Sequence, residues 1–176
     1  MMDSMVMGTI GFDTALGRCA VSWRDAGVSG VLLPGARGIP GRLTKDTDDV
    51  PAFVRRAIDG MRAVLEGAAD DLSDIPLDDR GIDDFRSAVY AATRRIAPGS
   101  TRTYGEIARA IGRPEAARDV GVALSRNPTP IIVPCHRVVA ASGALTGFSA
   151  PGGLSTKRRM LELEGAPGYG QLSLFG

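Results

Sequence analysis

The stretch of the chain best suited to chemistry is a proline, a cysteine, a histidine and an arginine set between two apolar runs. Cys135 and His136 are adjacent, and His136 is the single histidine of the 176-residue chain. Apolar residues at 131–133 and 138–139 flank them, so the pattern predicts a segment that is buried on both sides. Pro134 restricts its own φ and favours an extended residue before it, so we expect the strand to end in a turn at Cys135.

A thiol on such a turn, beside an imidazole and a guanidinium, is in a setting that favours the thiolate. For an isolated Cys-His pair, a buried structural cysteine beside a hydrogen-bonded histidine is the better interpretation. The remaining motifs of the chain decide between the two.

Composition excludes several classes of protein. Hydrophobic residues make up 44% of the chain and charged residues 23%, as in ordinary globular domains. No apolar run approaches the roughly 20 residues that cross a bilayer, and the N-terminus lacks the features of a secretory signal. Cys19 and Cys135 are predicted to be free thiols of a cytoplasmic protein. A Cys/His zinc site needs more ligands than this chain offers, so we expect no metal and no cofactor.

Charge is divided unevenly along the chain. Residues 1–78 carry 8 Lys and Arg against 12 Asp and Glu, whereas residues 79–165 carry 13 against 8. A basic second half favours an anionic partner, with nucleic acid as the first candidate, although a solvated basic face explains the charge equally well. The acidic, proline-containing stretch 70–80 is predicted to link the halves. We predict a scaffold domain over 1–78, a functional domain over 79–165 and a flexible tail over 166–176.

The first half has the pattern of a small antiparallel sheet with one helix. Three β-rich runs, at 7–12, 16–23 and 28–33, are separated by short turns. Apolar residues then recur at helical spacing from Phe53 to Leu65. Cys19 lies inside the second run, where packing into the core is the expected role.

The second half reads as helical. Thr103 and Glu106 form a capping-box pattern that opens a short helix, which stops at Gly112. Pro114 is predicted to begin a second helix, over 115–126. Two short helices joined by a tight turn form a helix-turn-helix. With the strand at 131–139, this predicts an α+β fold: an N-terminal antiparallel sheet with a helix, and a C-terminal helical domain with a winged helix-turn-helix.

The second of these helices is built from small residues. Gly121 costs about 1 kcal/mol relative to alanine inside a helix, and a glycine kept there usually permits a close approach. Ala116 and Ala117 are equally small, and Arg118 is the long basic side chain beside them. Reading base edges requires several long polar side chains. Such a helix is better suited to lying against a groove and holding the nucleic-acid backbone without sequence preference.

Five blocks of the second half resemble the O6-alkylguanine-DNA alkyltransferases, also called methylated-DNA–protein-cysteine methyltransferases. They lie in the family's order and near its spacing across about residues 79–165. The blocks are Thr-Tyr-Gly-Glu-Ile-Ala at 103–108, Ala-Ala-Arg-Asp-Val-Gly at 116–121, Arg-Asn-Pro at 126–128, Ile-Val-Pro-Cys-His-Arg-Val at 132–138 and Leu-Glu-Leu-Glu-Gly at 161–165. The first half matches the family only in general character.

The resemblance implies a repair protein that moves the alkyl group from guanine O6 in duplex DNA to its own cysteine. Cys135 is then the acceptor, and its thiolate attacks the alkyl carbon. His136 takes the thiol proton through a water, and Glu164 orients the imidazole. Asn127 holds the cysteine turn through backbone hydrogen bonds. Tyr104 donates toward the departing guanine, which needs this stabilisation as it leaves with negative charge.

The resemblance also implies roles for residues outside this reacting group. Lys157 matches a family lysine near the pocket, and Arg118 enters the base stack when the damaged nucleotide is rotated out. The remaining DNA-contacting positions are Thr103, Ala116, Ala117, Gly121 and Arg126. The pocket for the alkylated base is formed by Val133, Pro134, Val138, Phe148 and Ser149. Ala150 and Pro151 lengthen the loop after Phe148 relative to the family, so the tolerance for bulky alkyl groups is open.

The tail ends in a short motif with exposed apolar residues. Gln171, Leu172, Leu174 and Phe175 resemble the peptide by which bacterial replication and repair proteins bind the sliding clamp. A glutamine for hydrogen bonds and a leucine-phenylalanine pair for an apolar pocket make a workable anchor. The alternative is that the tail packs onto the protein's own surface. We expect a monomer in solution.

Two other functions use some of the same residues. A cysteine hydrolase would employ Cys135, His136 and Glu164 for acyl transfer, but it leaves the tyrosine, the helix-turn-helix and the basic half unexplained. A module that binds alkylated DNA without repairing it has no need of a thiol at position 135. The alkyl transferase is therefore the leading hypothesis.

Overall fold

A computed structural model describes residues 7–40 and 50–169 and shows an α+β fold, as predicted. No helix in these ranges is long and apolar enough to cross a membrane. The elements in chain order are strands β1 (Gly8–Thr14), β2 (Gly17–Arg24) and β3 (Gly27–Leu32), helices α1 (Ala52–Leu65) and α2 (Asp84–Arg94), strand β4 (Arg102–Thr103), helices α3 (Tyr104–Ala110) and α4 (Ala117–Ser125), a 3-10 turn (Cys135–Arg137), strand β5 (Val138–Val139) and helix α5 (Leu154–Leu163).

The N-terminal sheet is an antiparallel meander in the order β1-β2-β3, and this part of the sequence prediction is confirmed. Alternate residues of the strands face α1, since side chains of a strand point to opposite faces in turn. Phe12, Cys19 and Val21 lie on this buried face. Cys19 is fully buried among apolar side chains, as expected for a core residue.

The core beneath this sheet also contains residues from the C-terminal half. Ile131, Ile132 and Met160 pack into the same cluster as the sheet and α1. The stretch 70–80, which we interpreted as a linker, is held against β3. The main-chain N–H of Val28 donates to Pro76 O, and that of Asp78 donates to Val28 O, both at 2.9 Å. The two halves of the chain therefore share one apolar interior.

The helix-turn-helix consists of α3 and α4, which pack on α2. The capping box is confirmed, because the Thr103 hydroxyl accepts from the Glu106 N–H while the Glu106 carboxylate accepts from the Thr103 N–H. The predicted start of the second helix was wrong. Helix α4 begins at Ala117, and Pro114 lies in a turn closed by a 2.9 Å bond from the Ala116 N–H to Arg113 O. Proline fits a turn as well as a first helical position, so sequence could not separate the two.

The apolar run before the cysteine is buried as predicted but is not a strand. Residues 130–133 form tight turns in which the Val133 N–H donates to Thr129 O at 2.9 Å. Ile131 has a φ of 76°, a left-handed conformation that is rare for a β-branched residue. Only Val138–Val139 is extended, and it pairs in parallel with β4. A short apolar run shows burial without showing whether the chain is extended.

The wing of the predicted winged helix-turn-helix is not directly confirmed. After β5 the chain makes a turn at Ser142 and Gly143, where the Ala140 N–H donates to Ala144 O at 3.1 Å. The described residues after this turn contain no strand that returns beside β5. Residues 144–150 instead run as a loop toward α4, and this loop forms part of the site.

Candidate active site

A cavity of about 190 Å³ opens beside Cys135. Its lining comes from α4, from the residues after α4 and from the loop 147–151. The N-terminal half also contributes to its wall. Tyr104, Asn127, Cys135, Phe148 and Ser149 all reach this cavity, so the structure brings five of the predicted site residues together.

Cys135 is held at the cavity by the turn that precedes it. The Asn127 side chain donates from Nδ2 to Val133 O at 2.8 Å and accepts the Thr129 N–H at 3.0 Å. Asn127 also lowers the pKa of the nearby Cys135 thiol, against the effect of burial. Asn127 thus connects the end of α4 to the residues on either side of the turn.

The expected thiolate is not favoured in the structure. Cys135 is only 9% exposed. This burial raises the pKa of its thiol, and the hydrogen bond to Asn127 and the charge of Lys157 only oppose the rise. Low dielectric disfavours the charged form of an acid. The resting group is therefore a thiol that requires a base before it can attack.

A buried imidazole–carboxylate pair follows the cysteine directly in the chain. His136 Nε2 lies 2.7 Å from Glu164 Oε1, and both side chains are fully buried. Burial lowers the pKa of His136, so the imidazole is neutral at pH 7. Burial alone would raise the pKa of Glu164, but His136 and Arg137 outweigh it and lower this pKa to about 2.

The hydrogen-bond network assigns the tautomer of His136. Glu164 is a carboxylate and can only accept, so His136 Nε2 carries the proton and donates it. The other nitrogen, Nδ1, then has a free lone pair. It is buried and has no hydrogen-bond partner among the protein atoms. Buried polar atoms in such a position are usually satisfied by water, and this nitrogen can accept a proton.

Arg137 completes this cluster, whereas sequence reasoning expected its guanidinium only to favour the thiolate of Cys135. Its guanidinium is 2% exposed and makes three hydrogen bonds to the Glu164 carboxylate, at 2.7 to 3.2 Å. It also donates to Ile96 O at 2.7 Å. The signal available in the sequence was an arginine between buried apolar residues, since a buried cation needs a partner of opposite charge.

Tyr104 and Lys157 meet at the other side of the site. The Tyr104 hydroxyl donates to Thr146 O at 3.0 Å and accepts from Lys157 Nζ at 3.4 Å. Lys157 also donates to Val138 O at 2.7 Å and to Thr146 O at 3.0 Å. Burial lowers the pKa of Lys157 to about 8. Its ammonium group thus joins α5, β5 and the loop at one point.

The predicted DNA-contacting residues lie on and around α4. Arg118 and Arg126 are exposed. Ala116 is only 2% exposed, backbone included, so it is buried at the start of α4. Ala117 is half-buried against the second apolar cluster. A side chain added at Gly121 would meet the Tyr104 ring at an ordinary contact distance of 3.7 Å. The hydroxyl of Thr103, a sixth residue of this group, is occupied by the capping box.

The predicted pocket residues divide into two groups. Phe148 and Ser149 line the cavity, and Ser149 is tied to α4 by a 2.8 Å bond to Ser125 O. Val133, Pro134 and Val138 are buried under the cysteine turn and are not part of the cavity wall. Gln171, Leu172, Leu174 and Phe175 lie outside the described residues.

Fold and site together define a protein in which a helix-turn-helix lies next to a cavity that contains a buried cysteine, and a buried histidine–glutamate pair follows this cysteine. A family model described as the 6-O-methylguanine DNA methyltransferase DNA-binding domain matches residues 84–166. A methylated-DNA–protein-cysteine methyltransferase of Mycobacterium tuberculosis is 48% identical over 129 residues, which are 73% of this chain and 75% of the relative. Its counterpart in Mycolicibacterium paratuberculosis is 40% identical over 163 residues, or 93% and 95% of the two chains.

The crystal structure of Mycobacterium tuberculosis OGT in complex with DNA has the same fold. It superposes with a TM-score of 0.72 at 38% identity and covers 90% of this chain and 94% of that one. This chain belongs to the methylated-DNA–protein-cysteine methyltransferase family.

The His136–Glu164 pair makes stability depend on pH. The pKa values of both groups are lower in the folded protein than in the unfolded chain. As pH falls, the unfolded chain therefore binds protons at a higher pH than the folded protein does, and acid stabilises the unfolded state. The contribution of Glu164 to the free energy of unfolding is fully present above its ordinary pKa of 4.5 and is lost as pH falls through about 2. We expect the free energy of unfolding, measured in urea at about pH 7, 5 and 3.5, to fall steadily toward acid.

The variant Glu164→Gln should lower the free energy of unfolding at pH 7 by roughly 3 kcal/mol, because it leaves Arg137 buried without a negative partner. Its stability should also change less between pH 5 and 3.5 than that of the wild type. Glu162→Gln is the matched control, since Glu162 lies on the same helix and makes only a partly exposed pair with Arg159 at 3.6 Å. An unchanged acid dependence in Glu164→Gln contradicts the assignment.

Proposed function

We propose that the protein transfers the alkyl group of O6-alkylguanine in duplex DNA to Sγ of Cys135, once per molecule. One observation carries this proposal: Cys135 and Tyr104 line the same cavity, and the residue that follows Cys135 is His136, whose Nδ1 is buried without a partner among the protein atoms. A thiol, a base and a hydrogen-bond donor for the leaving group are the three groups that this displacement needs.

The proton of the thiol passes to His136 Nδ1 through a bridging water. Nδ1 is the one imidazole nitrogen without a proton, and it is buried next to the cysteine turn. As the imidazole becomes positively charged, the Glu164 carboxylate at 2.7 Å stabilises it. Because burial disfavours a separated thiolate, formation of the charged pair coincides with the arrival of the substrate in the cavity.

The displacement then forms the S–C bond and breaks the bond between the alkyl carbon and guanine O6. The guanine departs with negative charge, and the Tyr104 hydroxyl can turn toward it. Thr146 O, which this hydroxyl contacts in the resting protein, keeps a donor because Lys157 Nζ lies 3.0 Å from it. Lys157 therefore frees Tyr104 for the substrate while the Thr146 carbonyl keeps a hydrogen-bond donor.

Binding to DNA is assigned to α4. Its first turn presents Arg118 to solvent, and small residues keep the rest of this face close to a groove. Arg118 has the length to replace a rotated-out nucleotide in the stack. Asp119 beside it is negative and limits affinity for phosphates. The match of residues 84–166 to a DNA-binding domain family and the DNA complex of the Mycobacterium tuberculosis relative support this assignment.

Partners and location follow from the same proposal. We assign the protein to the cytoplasm as a monomer, with duplex DNA as its main partner. Gln171, Leu172, Leu174 and Phe175 are proposed to bind the bacterial sliding clamp, which places repair near replicated DNA. The residue types of this motif, a polar anchor followed by apolar side chains, support the assignment.

The transfer itself is tested by mass spectrometry after incubation with duplex DNA that contains O6-methylguanine. We expect one methyl group on Cys135 and no further product after one equivalent, since a thioether has no easy route back to the thiol. Cys135→Ser should bind the DNA as the wild type does and remain unmodified. Binding without a mass change in the wild type would instead indicate a sensor, and ester cleavage with turnover would indicate a hydrolase.

The role of Arg118 is tested by comparing two substrates. Arg118→Ala should slow the repair of duplex DNA at least tenfold more than its reaction with free O6-benzylguanine, because the free base needs no rotation out of a stack. Arg55→Ala, which removes an exposed arginine from α1, is the control for loss of charge. Equal losses on both substrates would show that Arg118 has no part in base rotation.

Clamp binding is tested by deleting residues 171–176. The shortened protein should lose affinity for the sliding clamp while it keeps full alkyl transfer, because the tail lies beyond the catalytic half. Phe175→Ala should have most of the same effect, since aromatic anchors dominate small interfaces. Clamp affinity that survives both changes eliminates this motif as the anchor.

A further inference from the structure

The cavity beside Cys135 has a wall that does not belong to the catalytic half. Val31, Leu32 and Leu33, at the end of β3, and Ala36, in the turn that follows, line it together with the loop 147–151. The matching family model begins only at residue 84, so these residues lie outside it. Nothing in the resemblance assigns them a role beyond scaffold.

This wall is fixed to the cysteine turn by direct contacts. The Val31 N–H donates to Pro128 O at 2.9 Å, at the start of the segment that Asn127 holds. The turn after β3 is closed by a 3.1 Å bond from the Ala36 N–H to Leu33 O. Pro151 lies so close to Gly35 that a side-chain carbon added there would be 3.1 Å from the proline Cβ. The turn after β3 and the loop 147–151 therefore approach each other at Gly35 and Pro151, and this close approach closes one side of the cavity.

Of the four wall residues, Leu32 and Ala36 have side chains that can set the shape of the cavity, whereas Val31 and Leu33 serve the core. Val31 and Leu33 are 4% and 2% exposed and are packed into the core under the sheet. Leu32 lies between them on the strand and points to the other face, where it is half-buried. Ala36 is also half-buried, on a turn. A change at Leu32 or Ala36 alters the cavity without disturbing the core.

We propose that Leu32 and Ala36 limit the size of the alkyl group that the protein removes. The inference rests on the proposed function, since it concerns the same cavity. A dry cavity of about 150 Å³ holds one benzene ring, and the cavity beside Cys135 measures about 190 Å³. A guanine with a methyl group takes most of this space. A benzyl or butyl group requires the wall and the loop to separate between Gly35 and Pro151.

The experiment measures the rate of transfer to Cys135 from duplex DNA that carries either O6-methylguanine or O6-benzylguanine. Leu32→Ala enlarges the cavity and should raise the benzyl-to-methyl rate ratio by at least roughly tenfold, since even one methylene group in an apolar pocket changes discrimination by about this factor. Ala36→Leu fills the cavity and should lower the ratio by a similar factor. The ratio is taken within each variant, so a general loss of folded protein cancels.

Matched controls lie in the same half of the chain. Leu16→Ala truncates a half-buried leucine that packs against the core under the N-terminal sheet, and Ala26→Leu adds a leucine at an exposed turn; both positions lie away from the cavity. Both should leave the ratio unchanged. If Leu32→Ala and Ala36→Leu also leave it unchanged while methyl transfer proceeds, the wall sets no size limit. If the wild type modifies Cys135 with neither lesion, the proposed function itself fails.

Discussion

The site depends on the burial of an ionised carboxylate between an imidazole and a guanidinium. Glu164 holds His136 at 2.7 Å and Arg137 through three further hydrogen bonds, in a region with almost no solvent exposure. A buried carboxylate is tolerated only when its lone pairs are satisfied and its charge is balanced. Arg137 supplies the balance, which leaves the imidazole neutral and able to accept a proton. The arrangement of His136, Arg137 and Glu164 thus follows from the need to balance a buried negative charge.

The same constraint dictates where the secondary structure must end. Glu164 is the C-cap residue of α5, and Arg137 reaches Ile96 O just beyond α2. A helix one turn longer or shorter would remove the carboxylate from the imidazole. Burial also separates the two cysteines of the chain by function. The pKa of Cys19 is raised by burial to about 11, and its thiol contacts the Thr14 hydroxyl and Gly17 O inside the sheet, whereas Cys135 lines a cavity. Similar burial gives an inert thiol in one place and a controlled nucleophile in the other.

Local signals in the sequence were reliable for local structure. The antiparallel meander, the capping box of Thr103 and Glu106, and the burial around Cys135 follow from short patterns, and the structure confirms them. The features that were missed depend on distant parts of the chain. Ile131 adopts its left-handed conformation because the turn packs into the core of the other half. The partner of Arg137 lies 27 residues away, and no spacing rule links an arginine to the end of a later helix.

The shared interior also has a consequence for how the chain can be divided. Ile131, Ile132 and Met160 belong to the catalytic half, yet they are buried beneath the N-terminal sheet. Cutting the chain near residue 80 would bring these apolar side chains into water as one adjoining surface, and such surfaces promote aggregation. Sheet and catalytic turn should therefore unfold as a single cooperative unit. An isolated second half would retain every reactive group but would lose the N-terminal sheet, whose packing beneath the cysteine turn holds these groups in position.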